Sequence, residues 1–171
     1  MPKKLRYIVA LVVGLTNFFI IAYFIVVVAQ KELWNPQYII TIGGMILGNS
    51  MTANSLCLKT FYELIQDQHQ RINALLCVGS SPKQILFPFL QKSVDTAILP
   101  TINSMISIGI VHLPGMMTGS ILSGSVPFVA ILYQIAIMIA ICVANLLSSF
   151  AVLYLGQATF IEKENQTIHI N

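Results

Sequence analysis

Charge is what this sequence has least of. Lys and Arg number 9 and Asp and Glu 6, together 9% of 171 residues, where a soluble domain carries about 25%. A chain of this size needs a polar surface to stay in water, so the shortage argues against an ordinary soluble domain and for a bilayer. The cysteines are few and scattered: Cys57, Cys77 and Cys142 form no CxxC pair. That gives no support to a zinc knuckle or a disulfide framework, and they read as small apolar fillers. No G-x-x-x-x-G-K-[ST] occurs, so there is no P-loop to hold ATP. Any pumping energy from ATP must come from another polypeptide, and the chain itself is not expected to be an enzyme. A full G-x-S-x-G is also missing, since "GSILSGS" has the wrong spacing. An intramembrane serine hydrolase built on Ser50, Ser120, Ser123 or Ser125, with His112 as base, is therefore disfavoured. The basic start "MPKKLR" leads into an apolar run too long for a signal peptide. No resident cofactor and no nucleic-acid partner are expected.

What the chain has is apolar length. About 20 mainly apolar residues cross a bilayer as a helix, and four segments qualify: 7–29, 38–58, 94–113 and 126–155. The expected fold class is all-α, a polytopic membrane protein with a single transmembrane domain over 1–171 and a polar tail at 156–171. Lys3, Lys4, Arg6, Lys59, Arg71, Lys83, Lys92 and Lys163 fall on one side of this arrangement, and only Lys31 on the other. The positive-inside rule then places both termini and the segment 59–93 in the cytoplasm. Trp34 and Tyr38 suit interfacial anchors.

The segment 59–93 is too regular for a loop. Phe61, Leu64, Ile65, Ile72, Leu75 and Leu76 keep close to one helical face, so the second span is expected to continue as an amphipathic helix. Gly79 ends it, "GSSPK" turns, and a second helix starts at Pro82. Pro88 is expected to end or kink that helix after about two turns. Ile85, Leu86, Phe87, Phe89 and Leu90 beside Lys83 and Lys92 suit a groove on a protein partner, or a helix lying on the bilayer surface.

Polar residues stand out inside the spans. In "GMILGNSMTANS", Gly44 and Gly48 make a GxxxG pair that Thr52 extends, and Asn49 and Asn54 would be costly to leave unpaired in lipid. The third span adds Pro100, Thr101, Asn103, Ser104 and Ser107, and the fourth adds Gln134 and Asn145. Two readings stand: glue between helices, or the lining of a transport path. No ionisable group lies at the centre of a span, which argues against a proton-coupled transporter. "LPGMMTGSILSG" reads as a re-entrant element or a tight outer turn with a short helix, and His112, Met116 and Met117 form a candidate set of soft or borderline metal ligands.

"GMILGNSM", "LPTINSM", "LPGMMTGSILSG" and "YQIAIM" resemble, in order, the signature stretches of the iron-export ABC-transporter permease family, which is related to the plant aluminium-tolerance permeases. The resemblance covers roughly 43–145. "NALLCVGSSPKQ" is similar to the E-A-A-x-x-x-G loop of ABC permeases, with Asn73 in place of the glutamate, Ala74 and Gly79 matching, and Leu75 in place of an alanine. The resemblance implies a permease that exports iron or a related metal and is energised by a separate cytoplasmic ATPase. Asn73, Ala74, Gly79, Ser80, Pro82 and Phe87 would couple to that ATPase. Family members have further transmembrane helices before the matched part, so the chain starts partway through the pattern. A homo-oligomer or a partner membrane subunit is expected in the cell membrane. The competing reading is a truncated or non-transporting membrane subunit.

Overall fold

Ile42, Ile46, Ser50, Ala53, Cys57, Phe61 and Ile65 recur three or four positions apart and are all buried, as one face of a helix requires. In the computed structural model, which describes residues 3–28, 36–79, 82–108 and 114–161, they form the inner face of a 32-residue helix. Six helices occur among the described residues: α1 (Lys3–Tyr23), α2 (Pro36–Asp67), α3 (His69–Cys77), α4 (Pro82–Ser107), α5 (Gly115–Leu122) and α6 (Pro127–Ile161). A π-helical turn, Phe24–Val28, extends α1.

Proline and glycine set most of the boundaries. Pro36, Pro82 and Pro127 each open a helix, where the missing N–H has no intrahelical partner to lose and φ is already helical. Gly79 (φ 87°) follows α3 and Gly124 (φ 92°) follows α5, both in the left-handed region that other residues enter at a cost. Between α2 and α3 the break is slight. The Gln68 N–H still donates to Leu64 O at 3.2 Å and the Ile72 N–H to Gln68 O at 3.0 Å. The expected amphipathic helix after Leu58 is therefore present as the end of α2 and α3, and the "PGMMTGSILSG" segment folds as α5 and its turn.

Of the two outcomes expected at Pro88, an end or a kink, the first is overturned. Pro88 does not end the helix after two turns: α4 runs through both Pro88 and Pro100 to Ser107. Each proline removes a backbone donor, but Ile85, Leu86, Leu90, Val94, Ala97 and Ile98 are buried on both sides of Pro88. That continuous packed face holds α4 together, while both prolines point to the exposed side. The same packing corrects the reading of the apolar patch after Gly79. Ile85, Leu86 and Leu90 are buried in this chain's own core with Cys57, Phe61, Ile65 and Ile72; only Phe87 is left exposed, with Phe89 half-buried.

The helices α2 and α6 pack together, and α1 and α4 each pack against both. The short α5 lies on α6. The core is layered along the helices. Phe24, Ile42, Ile46, Ile137, Ile141 and Ala144 form one apolar layer. The Cys57–Phe61–Leu90–Leu153 cluster, with Val12, Val13 and Val152 beside it, forms another. By length and composition two helices among the described residues suffice to cross a membrane, over Val9–Val26 and Pro127–Gly156. The other two expected spans fall within α2 and α4, with residues 109–113 outside the described residues.

Because α4 continues through an exposed Pro88, Pro88→Ala should stabilise the fold, by up to about 3 kcal/mol from helix preference. Thermal unfolding of the two proteins in the same detergent checks this. A lower melting temperature for the variant would show that the helix is seated around its proline.

Candidate functional site

Between the two apolar layers lies a buried polar seam contributed by four helices. Asn17 of α1, Ser50 and Asn54 of α2, Thr101 of α4, and Asn145, Ser148 and Ser149 of α6 are all buried. The Ser50 hydroxyl is shared between Asn17 Oδ1 at 2.8 Å and Asn145 Oδ1 at 3.2 Å. Asn145 Nδ2 donates to Thr101 Oγ1 at 2.8 Å. Asn54 Nδ2 donates to Ser148 Oγ at 3.0 Å and to Ser50 O at 2.7 Å. Asn17 Nδ2 donates back to Val13 O at 2.7 Å. A chain of side-chain bonds thus runs from α1 through α2 and α6 to α4. Asn54 Oδ1 has no hydrogen-bond partner among the described residues, and the Ser149 hydroxyl faces the Cys57 thiol.

Every group in the seam is neutral. It has no acid, base or activated nucleophile, and Ser50 faces two amides rather than a base. No cluster of three or more His, Cys, Asp or Glu occurs among the described residues. Such a seam binds helices to one another, and its spare acceptors can meet a water or a passing polar solute; acid–base or hydrolytic chemistry is outside its reach.

The outer surface is two-sided. The exposed side chains of α1 include Leu11, Leu15, Phe18 and Phe19, and those of α6 include Leu132, Ile135, Ile139, Val143, Leu147 and Phe150. These are large and apolar, as lipid contact demands. The exposed face of α2 is mixed: Gly44, Gly48, Thr52 and Ser55 lie on it, with Asn49 toward one edge and the large apolar Ile40 and Met51 toward the other. A Cβ added at Gly44 or Gly48 would meet nothing within 4 Å, whereas Gly43 packs on Ile21. Asn49 Nδ2 and the Thr52 hydroxyl only bond back to Met45 O and Gly48 O. On α4, Pro100, Asn103 and Ser104 are likewise exposed.

The polar residues singled out from sequence therefore divide. Asn54, Thr101 and Asn145 join the seam. Gly44, Gly48, Asn49, Pro100 and Asn103 lie on the outward face, touching no other helix through their side chains in the hydrogen bonds described. Gln134 is buried beside a cavity bordered by α4, α5 and α6. Met117 borders the same cavity, while Met116 packs against the Ile42–Ile137 layer, and His112 lies outside the described residues. The three candidate metal ligands are thus not gathered by what is described. At the opposite end, Gly79 makes the turn, Ala74 is exposed and Phe87 is 51% exposed. Asn73 is in α3 and Pro82 opens α4, but their side-chain surroundings, and Ser80 altogether, are outside the described residues. A groove of about 360 Å³ opens beside this hairpin, with Leu64, Leu75, Ile85 and Phe89 as walls and Arg71 and Lys92 at its edge.

Sequence reasoning missed Asn17, Ser148 and Ser149. An isolated amide in the first span was the available signal, since a polar group in so apolar a run must find a partner. Within membranes such bonds average about 0.6 kcal/mol. Asn145→Leu, which removes the bonds of α6 to Ser50 and Thr101 and leaves Asn54–Ser148 in place, should therefore lower stability by about 1 kcal/mol. Asn49→Leu, on the outward face, should leave the stability of the isolated chain within about 0.5 kcal/mol of the parent. Equilibrium unfolding in mixed micelles checks both, and equal losses would deny the seam its role.

Comparison with known proteins gives a consistent answer. The UPF0014 model, described as an uncharacterised protein family, matches residues 1–161. A UPF0014 membrane protein of Synechocystis is 39% identical over 133 residues, 77% of this chain and 51% of that protein. The "Probable iron export permease protein FetB" of Escherichia coli is 35% identical over 133 residues, 78% of this chain and 51% of its own length. The "Protein ALUMINUM SENSITIVE 3" of Arabidopsis thaliana is 31% identical over 146 residues, 85% of this chain and 54% of its own. The chain spans about half the length of the curated relatives it matches. No solved structure matches. With the family resemblance of its motifs, its apolar helices and these relatives in agreement, the chain belongs to the UPF0014 family of membrane proteins.

Proposed function

We propose that this chain is the transmembrane permease subunit of an ATP-driven ABC transporter that exports iron or a related metal ion. It sits in the cell membrane with four spans and cytoplasmic termini, and a separate cytoplasmic ATPase supplies the energy. The observation that carries the reading is the two-sidedness of the helix array. Helices α1 and α6 present large apolar side chains along their exposed faces, whereas α2 presents Gly44, Gly48, Thr52 and Ser55 beside Ile40 and Met51. Small and hydroxylated residues at membrane depth belong against another helix or a hydrated path. A second copy or a partner membrane subunit would complete both.

The hairpin of α3 and the start of α4 is the coupling element. Gly79 aims it, through a φ of 87° that a β-branched residue adopts only with strain. Phe87 is its exposed apolar anchor, and Arg71 and Lys92 flank the neighbouring groove, a setting suited to an acidic, apolar segment of the ATPase. ATP-driven approach of two ATPases would push on this hairpin. Because α3 follows α2 almost without a break, the push would travel down α2 to the seam and the outward face. The relative named as an iron export permease supplies the cargo class.

The test is a pair of variants, Gly79→Val and Phe87→Asp, co-expressed with the candidate ATPase. Both should still insert and keep their helicity by circular dichroism, yet lose ATPase co-purification and stimulation. If both variants bind and stimulate the ATPase as the parent does, the coupling assignment is wrong, and the chain reverts to a membrane subunit without a transport role.

A further inference from the structure

One end of the array holds a pocket of about 400 Å³ between α4, α5 and α6, open on the side where Ile131 and Ile135 are exposed. Its walls include Met105 from α4, Met117 from α5, and Met138 and Gln134 from α6. Gln134 is only 3% exposed, and its carbonyl oxygen Oε1 has no hydrogen-bond partner. A buried amide oxygen left unpaired costs about 1–3 kcal/mol, and such groups in native proteins are ordinarily satisfied by something. The remaining walls, Ile108, Ile131 and Ile135, offer no donor.

The donor set defines what could satisfy it. Three thioether sulfurs and an amide oxygen are electron-pair donors without charge. A hard or borderline divalent ion would lose its hydration shell here and in return meet no carboxylate, imidazole or thiolate among the described residues. A purely apolar occupant would fill the space and leave Gln134 Oε1 unpaired. A singly charged soft cation loses less on dehydration and takes thioethers by preference. We propose that this cavity is a binding site for a soft monovalent metal cation of the Cu(I) and Ag(I) class, held by Met105, Met117, Met138 and Gln134 Oε1. Three helices each contribute a sulfur, so occupancy clamps α5 onto α4 and α6. The site differs from the sequence-level set of His112, Met116 and Met117, since Met116 faces the neighbouring apolar layer.

The probe is Ag(I), which is stable in air, titrated into the purified full chain in detergent. The Met105→Leu/Met117→Leu/Met138→Leu variant nearly conserves volume, and circular dichroism reports whether it folds; the three single variants guard against its failure. The wild type should retain one more Ag(I) per chain than the triple variant, the cysteines being common to both. Loss of even an outer-shell partner of a metal weakens binding about 10–100-fold, so each single variant should weaken that Ag(I) by at least about tenfold. X-ray absorption should show sulfur scatterers lost in the triple variant. Equal Ag(I) retention by wild type and variants would overturn the proposal, as would Fe(II) or Mn(II) binding that depends on the same methionines. So would a lipid or detergent tail retained in the cavity that Ag(I) fails to displace. The binding measurement needs no ATPase and no flux, so it stands or falls separately from the permease reading.

Discussion

The hydroxyl of Ser50, lying between Asn17 and Asn145, is the point on which the helix array turns. Helices in lipid gain no hydrophobic free energy by meeting one another, because the tails they displace are as apolar as they are. What selects one arrangement is close packing and the need to pair polar groups. Here the pairing runs from α1 through α2 and α6 to α4, and a second bond ties Asn54 to Ser148. Sliding α6 by one turn past α2 would break these bonds together. Apolar layers on either side exclude competing partners, so the seam sets register where the apolar contacts alone would leave it loose.

The seam also explains the shape of the exposed surface. Once Ser50, Asn54 and Cys57 are committed to the interior, helical geometry turns Gly44, Gly48, Thr52 and Ser55 to the far side of α2. The same rotation on α6 sends Ile135, Ile139 and Val143 outward. A helix array with one apolar flank and one small, polar flank is unfinished in a membrane. The second flank asks for more protein or for water, and the proposed transporter provides both, a partner across α2 and a path beside it.

Much of this was legible in the sequence. The all-helical architecture, the helix boundary at Gly79 and the polar residues within α2 and α4 follow from periodicity, punctuation and composition, because these are local properties. Which polar residue faces inward is not local. Asn49 and Asn54 look alike in "GNSMTANS", yet they differ by about 140° around α2, and only the positions of α1 and α6 decide that Asn54 is buried. Asn17 was overlooked for the same reason, its partner on another helix, Ser50, being 33 residues away. Pro88 was misjudged because the packing of Ile85, Leu86 and Leu90 outweighs a proline's local cost. The methionine cavity draws Met105, Met117 and Met138 from three separate helices, and no spacing rule joins them.

The central claim is that α6 faces lipid and the Gly44–Gly48–Thr52 face of α2 does not. The direct measurement is electron paramagnetic resonance of spin labels placed singly at Ile139, Val143 and Leu147, and at Gly44, Gly48 and Thr52, in the bilayer-reconstituted assembly. Oxygen, which concentrates in the hydrocarbon, should relax the three α6 labels strongly and the three α2 labels weakly. Equal oxygen accessibility on the two faces would place both in lipid and contradict the account.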